Sequence, residues 1–344
     1  MSDLDVSGID RLAIARAARL LEAGKLVAFP SETVYGLGAD AENPQAVADI
    51  YAAKGRPADH PVIVHVAPQA DIAYWARDIP QAAHQLMAAF WPGPLTLILL
   101  RAAGIDPIVS GGQESVGLRC PSHPVAQALL REFKGGKGGI AGPSANKFGH
   151  VSPTTAQHVR DEFGDDGWID EILEGGQSEV GIESTIIDLS RYASHGPVLL
   201  RPGHISAAQI EAVLGVTVQM PDAAAPRASG TLDAHYAPHT PMAMVAGAEI
   251  ASVAVRLGKA GKKMAIMHIT PLACASHASI ALPSEAAAYA HDLYASLRAM
   301  DQVGADLILL EAAPAGAAWQ GINDRLRRAC HDSAGVLERL LATA

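Results

Sequence analysis

The sequence predicts two α/β domains, and three observations lead there. At 344 residues the chain is too long for one average domain and comfortable for two, each able to bury its own core. Through the first two thirds, short apolar runs bounded by Gly, Pro or charge alternate with helical patterns. Between roughly Gly215 and Pro241 this rhythm lapses into prolines and small residues, then resumes with a second alternating set. The expected division is a first domain over 1–214, a linker over 215–241 and a second domain over 242–344.

In order, strands are expected at Leu26-Val27-Ala28-Phe29, Val62 to Val66, Leu95 to Leu100, Ser184 to Leu189 and Val198-Leu199-Leu200. Helices are expected over Ile9 to Ala23, Pro44 to Ala53, Pro80 to Phe90, Pro124 to Phe133 and Thr154 to Phe163. In the tail, Met242 to Val245, Lys263 to Met267 and Leu307 to Leu310 read as strands of a small parallel α/β domain. The helix from Ser284 to Met300 is expected to start with Ser284 as N-cap.

Composition excludes several functions. The formal net charge is -10, and residues 1–220 carry 16 Lys and Arg against 25 Asp and Glu, which argues against a broad, sequence-independent grip on nucleic acid. Any RNA contact is expected to be local. Cys120, Cys274 and Cys330 are few, odd in number and widely spaced, fitting neither a disulfide framework nor a zinc cluster, so a reducing cytoplasm is expected. The start, Met1-Ser2-Asp3-Leu4-Asp5, is acidic, and the run Leu95 to Leu100 is far too short to span a bilayer; no membrane association is expected.

The chemistry centres on Lys54-Gly55-Arg56-Pro57. In an extended segment residues two apart share a face, so the two cations could converge on one phosphate, with Gly142-Pro143-Ser144-Ala145-Asn146 completing an anion site. A solvated pair at a helix end is the plainer reading. Nothing fits a Walker loop: Lys134-Gly135-Gly136-Lys137-Gly138-Gly139 lacks the hydroxyl residue and reads as a flexible connector. Gly36-Leu37-Gly38 lacks the third glycine of a dinucleotide fingerprint. His65, alternating with valines, has the pattern of a core histidine as much as of a functional one. His235 and His239 are four apart, but Pro238 breaks the helix that a metal pair at that spacing needs; no residue is assigned to a metal.

Lys54-Gly55-Arg56 with Ser144-Ala145-Asn146, Pro30-Ser31-Glu32-Thr33-Val34-Tyr35-Gly36-Leu37-Gly38, Gly117-Leu118-Arg119-Cys120-Pro121, Gly181-Ile182-Glu183-Ser184-Thr185, Leu200-Arg201-Pro202-Gly203 and the His235-Tyr236-Ala237-Pro238 linker together resemble the YrdC-like threonylcarbamoyl-AMP synthases in their long two-domain form. The resemblance implies a first domain built on a twisted open mixed sheet with a concave catalytic face, and a Rossmann-like tail. It implies a cytoplasmic nucleotidyltransferase, a transferase of tRNA processing. That enzyme makes L-threonylcarbamoyl-AMP from L-threonine, bicarbonate and ATP with release of pyrophosphate, and ATP would come with Mg²⁺. The product would pass to the threonylcarbamoyl transferase machinery that modifies position 37 of tRNA.

By the same resemblance Lys54 and Arg56 are the catalytic pair facing the phosphates. Thr33, His65, Arg119, Gly142 and Ser184 hold threonine or the carbamate made from it, Arg119 being suited to a carboxylate by its planar fork. Arg56, His60, Ser115, Ser144, Asn146, Ser152, Arg201 and Tyr236 hold ATP, with Tyr236 on a lid formed by the linker. The chain departs from the pattern at His60, where Asn is frequent, at Ser31 in place of the first Thr, at Ala228-Ser229-Gly230-Thr231 in place of small-Pro-Gly-Met, and at Asp233, where an aromatic is common. Two rival readings remain: an RNA-binding or ribosome-assembly module that uses the same basic concavity, and a carbamoyl transferase with a different acceptor, which shares the fold but should not require threonine.

Overall fold

The computed structural model describes residues 9–342. They fall into two compact units, one running to Phe148 and including Pro153–Thr231, the other made of Gly149–Ser152 and the chain from Leu232 on. The stretch expected as a linker, 215–241, is therefore shared: its first part packs with the first unit and 232–241 with the second.

The first unit holds ten strands: β1 Val27–Phe29, β2 Gly36–Asp40, β3 Ile63–Val66, β4 Ala76–Arg77, β5 Leu95–Arg101, β6 Ser115–Arg119, β7 Gly139–Ala141, β8 Glu171–Ile172, β9 Thr185–Asp188 and β10 Val198–Arg201. They form one mixed sheet in the order β10-β9-β5-β6-β3-β7-β2-β1-β8, with β4 beside β5. Period-two alternation divides the side chains cleanly between its faces. Leu95, Leu97 and Leu99 of β5, Val64 and Val66 of β3, and Val116 and Leu118 of β6 enter the main core with Ile50, Trp75 and Leu86. Each fully buried Leu or Val contributes about 1.5–3 kcal/mol, so this face drives folding. The intervening residues Thr96, Ile98, Ile63, His65, Gly117 and Arg119 go to the other face. There a second core, built by helices Arg11–Glu22 and Pro124–Glu132 around Leu21, Leu129 and Phe133, packs Phe29 and Ile140.

The expected strands and helices of this unit are present with ends shifted by one or two residues. Asp10 caps Arg11–Glu22 through the amides of Leu12 and Ala13, and Asn43 caps Pro44–Lys54. The glycine-rich stretch from Lys134 is not a flexible connector. Lys134 Nζ pairs with Asp40 at 2.7 Å and Glu42 at 2.9 Å, and Gly139 already belongs to β7.

In the second unit β11 Met242–Val245, β12 Met264–His268, β13 Ala278–Ala281 and β14 Leu307–Glu311 form a wholly parallel sheet in the order β11-β14-β12-β13. Ile250 and Leu257 of helix Gly247–Lys259 pack on Ile266 and Leu309 of the sheet. The long helix runs Ala286–Asp301 with Glu285 at the cap position and no side-chain cap bond, which displaces Ser284 from the role expected of it. Among the described residues no helix is long and apolar enough to cross a membrane.

Candidate active site

The polar face of the large sheet carries a row of polar and charged side chains set by strand register. Arg201 at the end of β10 lies opposite Ile186 of β9, Ile186 opposite Thr96 of β5, and Arg119 of β6 opposite His65 of β3. Strands β5 and β6 meet with Leu97 opposite Leu118, which sets Thr96 beside Arg119. Residues in register share a face, so four strands deliver two guanidiniums, a hydroxyl and an imidazole to one side of the sheet.

Arg119 is buried, and its fork is engaged by the protein: Nη2 donates to Glu32 Oε1 at 2.6 Å, Nη1 to Thr33 Oγ1 at 2.8 Å and Nε to the carbonyl of Gly93 at 3.4 Å. The other oxygen of Glu32 accepts from the amide of Ser122 at 3.0 Å. Thr33 Oγ1 also meets Ser31 Oγ at 2.9 Å, so Ser31 and Thr33 act as a pair despite the exchange of the first Thr. The Arg119–Glu32 pair is buried on both sides, at 5% and 4% side-chain exposure. A buried ion pair adds little net stability but fixes geometry, so Glu32 positions the guanidinium. Glu32 was not among the expected site residues; its only signal was a carboxylate inside the Pro30–Gly38 run.

His65 is buried edge-on to Phe29, with centroids 5.5 Å apart. Gly142, whose amide bonds the carbonyl of Ile63, passes so close that a β-carbon there would sit 2.8 Å from His65 Nδ1. A side chain at 142 would drive the imidazole out of place. Nδ1 is buried and makes no hydrogen bond of good geometry among the described residues. Burial, and after it the charge of Arg119, push the His65 pKa down to about 3, so the ring is neutral at physiological pH. The unfolded chain, with a value near 6.5, takes the proton first as pH falls, so the contribution of His65 to stability is lost between about pH 6.5 and 3, at about 1.4 kcal/mol per pH unit. Denaturant unfolding of wild type and His65→Gln at pH 7, 5 and 4 is expected to show a shallower loss in the variant; parallel curves would contradict it.

Lys54 and Arg56 converge by a different route from the extended segment expected. Lys54 ends helix Pro44–Lys54, and Gly55 takes the left-handed cap conformation (φ 63°, ψ 31°) that reverses the chain. Neither cation is solvated: Lys54 is 2% and Arg56 8% exposed. Lys54 Nζ donates to the carbonyls of Ser144 and Asn146, and burial, then Arg56, hold its pKa well below the ordinary lysine value. The lysine thereby shapes the Ser144–Asn146 loop, which is also tied to β2 and the residue before it, the amide of Leu37 donating to the carbonyl of Pro143 and that of Ala145 to the carbonyl of Tyr35. Arg56 Nη2 donates to the carbonyl of Pro61 at 2.8 Å, and its guanidinium lies 5.9 Å from the centre of the Phe148 ring. His60 meets the same ring edge-on at 5.4 Å, its pKa lowered by burial and then by Arg56.

Ser184 bonds Thr96 (Oγ to Oγ1, 2.7 Å), while Arg201 donates from Nη2 to Ser184 Oγ at 3.1 Å and from Nε to its carbonyl at 3.0 Å. Ser115 is buried at the opposite end of β6 from Arg119. Ser152 and Tyr236 belong to the second unit. There Tyr236, at φ 62°, is buried against His235, Tyr294 and the guanidinium of Arg325.

A family model described as telomere recombination matches residues 19–203, and one described as threonylcarbamoyl-AMP synthase, C-terminal domain, matches 205–331. The threonylcarbamoyl-AMP synthase of Pyrococcus abyssi is 37% identical over 334 residues, covering 93% of this chain and 95% of the relative. That of Bacillus subtilis is 40% identical over 327 residues, covering 92% of each. A crystal structure of P. abyssi Sua5 complexed with L-threonine superposes with a TM-score of 0.86 at 36% identity, over 94% of this chain and 96% of that one. With both family models, full-length relatives and the whole fold in agreement, the chain belongs to the threonylcarbamoyl-AMP synthase family, in its two-domain form.

Proposed function

We propose that the first unit is a nucleotidyltransferase that joins L-threonine, bicarbonate and ATP into L-threonylcarbamoyl-AMP and releases pyrophosphate. This is the first step of threonylcarbamoyladenosine formation at position 37 of tRNA. The observation that carries the proposal is the polar row itself, where a neutral buried imidazole and two buried guanidiniums stand along one face beside a loop held by Lys54. Similarity to a relative crystallised with L-threonine supports an amino-acid site here.

The reaction needs threonine's amine to capture carbon dioxide or bicarbonate, and the resulting carbamate oxygen to attack the α-phosphorus while pyrophosphate leaves. Both reactants are anions, so catalysis is alignment plus charge neutralisation, and no covalent nucleophile is required. Arg119, oriented by Glu32, takes the threonine carboxylate, with Thr33 and Ser184 as hydroxyl partners. His65, with a pKa of about 3, is too weak a base to store the ammonium's proton; its neutral ring accepts a hydrogen bond and positions the amine. Arg56, Arg201 and the Ser144–Asn146 loop face the phosphates. Magnesium is assigned to the nucleotide's own phosphates, since among the described residues no group of three His, Cys, Asp or Glu could hold an ion.

The RNA-binding reading is disfavoured because Arg56, Arg119 and Arg201 are 8%, 4% and 3% exposed, too enclosed for a polyanion but suited to a small ligand. Cys120, Cys274 and Cys330 are free thiols, which suits the cytoplasm. The product would pass to the transferase machinery acting on tRNA. Purified protein is expected to release pyrophosphate from Mg·ATP only when L-threonine and bicarbonate are both present. Serine is expected to be about 10–200-fold poorer in kcat/KM, from a lost methyl contact of about 1–3 kcal/mol. Equal turnover without threonine would overturn the proposal.

A further inference from the structure

The segment Arg227–Thr231 forms a strap over the polar face of the first unit, and Ser229 is where it meets the two arginines assigned to ATP. Ser229 Oγ donates to the carbonyl of Pro61 at 2.8 Å and accepts from Arg56 Nη2 at 3.3 Å. Its main-chain carbonyl accepts from Arg201 Nη1 at 2.9 Å. One residue thus supplies acceptors to both guanidiniums. The strap is tied elsewhere mainly at Arg227, which exchanges bonds of 2.7 and 3.1 Å with Gln113, donates from Nη2 to the carbonyl of Gly111 at 3.1 Å and lies 3.7 Å from Asp59; Ala228 rests on the cluster of Ile63, Ile98 and Ile186, and Thr231 Oγ1 closes a turn onto the carbonyl of Ala228 at 2.9 Å.

We propose that Ser229 is an exchangeable ligand of Arg56 and Arg201, and that the phosphates of ATP bind by taking its place. This rests on the reading of those arginines as nucleotide ligands. The acceptors that Ser229 offers are a hydroxyl and an amide carbonyl, both neutral, whereas a phosphate oxygen is charged. The donors are cationic in both states, but only a phosphate oxygen adds an opposite charge within contact distance, so the exchange runs toward ATP when it is present and back to Ser229 when it leaves. Neither arginine donor is left bare in either state, which avoids the cost of an unsatisfied buried cation. With its other polar ties to the rest of the unit at Arg227 and a half-buried surface from Ala228 to Thr231, the strap loosens around Ser229 when ATP takes that anchor. Nucleotide binding and release of this segment are therefore one event, and Ser229 is a positioning residue that sets the affinity for ATP rather than for threonine.

The test is calorimetric titration of the full chain with Mg·ATP and, separately, with L-threonine, for wild type, Ser229→Ala and Ser229→Thr. Removing the hydroxyl removes a competitor, so Ser229→Ala is expected to bind Mg·ATP about three- to tenfold more tightly, the effect of one ordinary hydrogen bond, with threonine affinity unchanged. Ser229→Thr, which keeps the hydroxyl, is expected to stay near wild type. Hydrogen exchange over residues 225–231 is expected to speed up when Mg·ATP saturates the wild-type protein. Weaker or unchanged Mg·ATP binding by Ser229→Ala, or slower or unchanged exchange over the strap, would overturn the proposal. Should wild type bind no Mg·ATP at all, the nucleotide site fails along with it; binding without the Ser229 effect overturns the exchange alone.

Discussion

Lys54→Met is expected to lower ATP-dependent turnover about a hundredfold or more, the effect of removing one preorganised electrostatic element from an active site. Methionine keeps most of the stem volume, so the change is confined to the ammonium. Without it the buried carbonyls of Ser144 and Asn146 lose their donor, which costs about 1–3 kcal/mol for each unsatisfied group. The loop then relaxes away from the position proposed for it beside the nucleotide's phosphates, so activity is expected to fall further than stability does. Steady-state kinetics at saturating substrates and denaturant unfolding of the same preparation separate the two effects. A folded variant with wild-type turnover would remove Lys54 from the machinery.

Glu32→Ala is expected to destabilise the protein by about 3–5 kcal/mol, since it leaves the Arg119 guanidinium buried without its counter-charge. Glu32→Gln, which keeps an acceptor at the same place, is expected to cost clearly less while still weakening threonine binding, because the fork is no longer held by charge. Unfolding curves of the two variants, with threonine titration of whichever folds at 25 °C, check this. Equal stability of wild type and Glu32→Ala would mean that the pair does not form in solution.

The parts of this fold that were legible in sequence are those whose own residues carry the signal. Leu95 to Arg101 alternates buried leucines with Thr96 and Ile98, and Ile63 to Val66 does so around His65, so both strands declare their period. By contrast β2 consists of Gly36-Leu37-Gly38-Ala39-Asp40, all buried, yet lacks an apolar run. Its glycines admit the Phe29 ring, to which β-carbons would come within about 3 Å, and that neighbour lies on another strand. β7 is hidden likewise behind Gly138, in a run whose lysine proves to be tied to Asp40 and Glu42.

For the candidate site, the resemblance named Thr33, His65, Arg119, Ser184 and Arg201, which the fold sets along one side of the sheet, without saying what each touches. Glu32, Thr96 and Ser229 went unrecognised because their roles are created by partners 87, 88 and 173 residues away. The burial of Lys54 was equally invisible, since the carbonyls that accept from it carry no side-chain signature.

Isotope tracing of the carbonyl carbon is the most direct measurement of the proposed chemistry. Incubated with ¹³C-bicarbonate, L-threonine and Mg·ATP, the full-length protein is expected to yield a nucleotide with the mass of threonylcarbamoyl-AMP and one ¹³C per AMP, in step with pyrophosphate released. Pyrophosphate release without label in the nucleotide, or a labelled nucleotide formed without threonine, would contradict it.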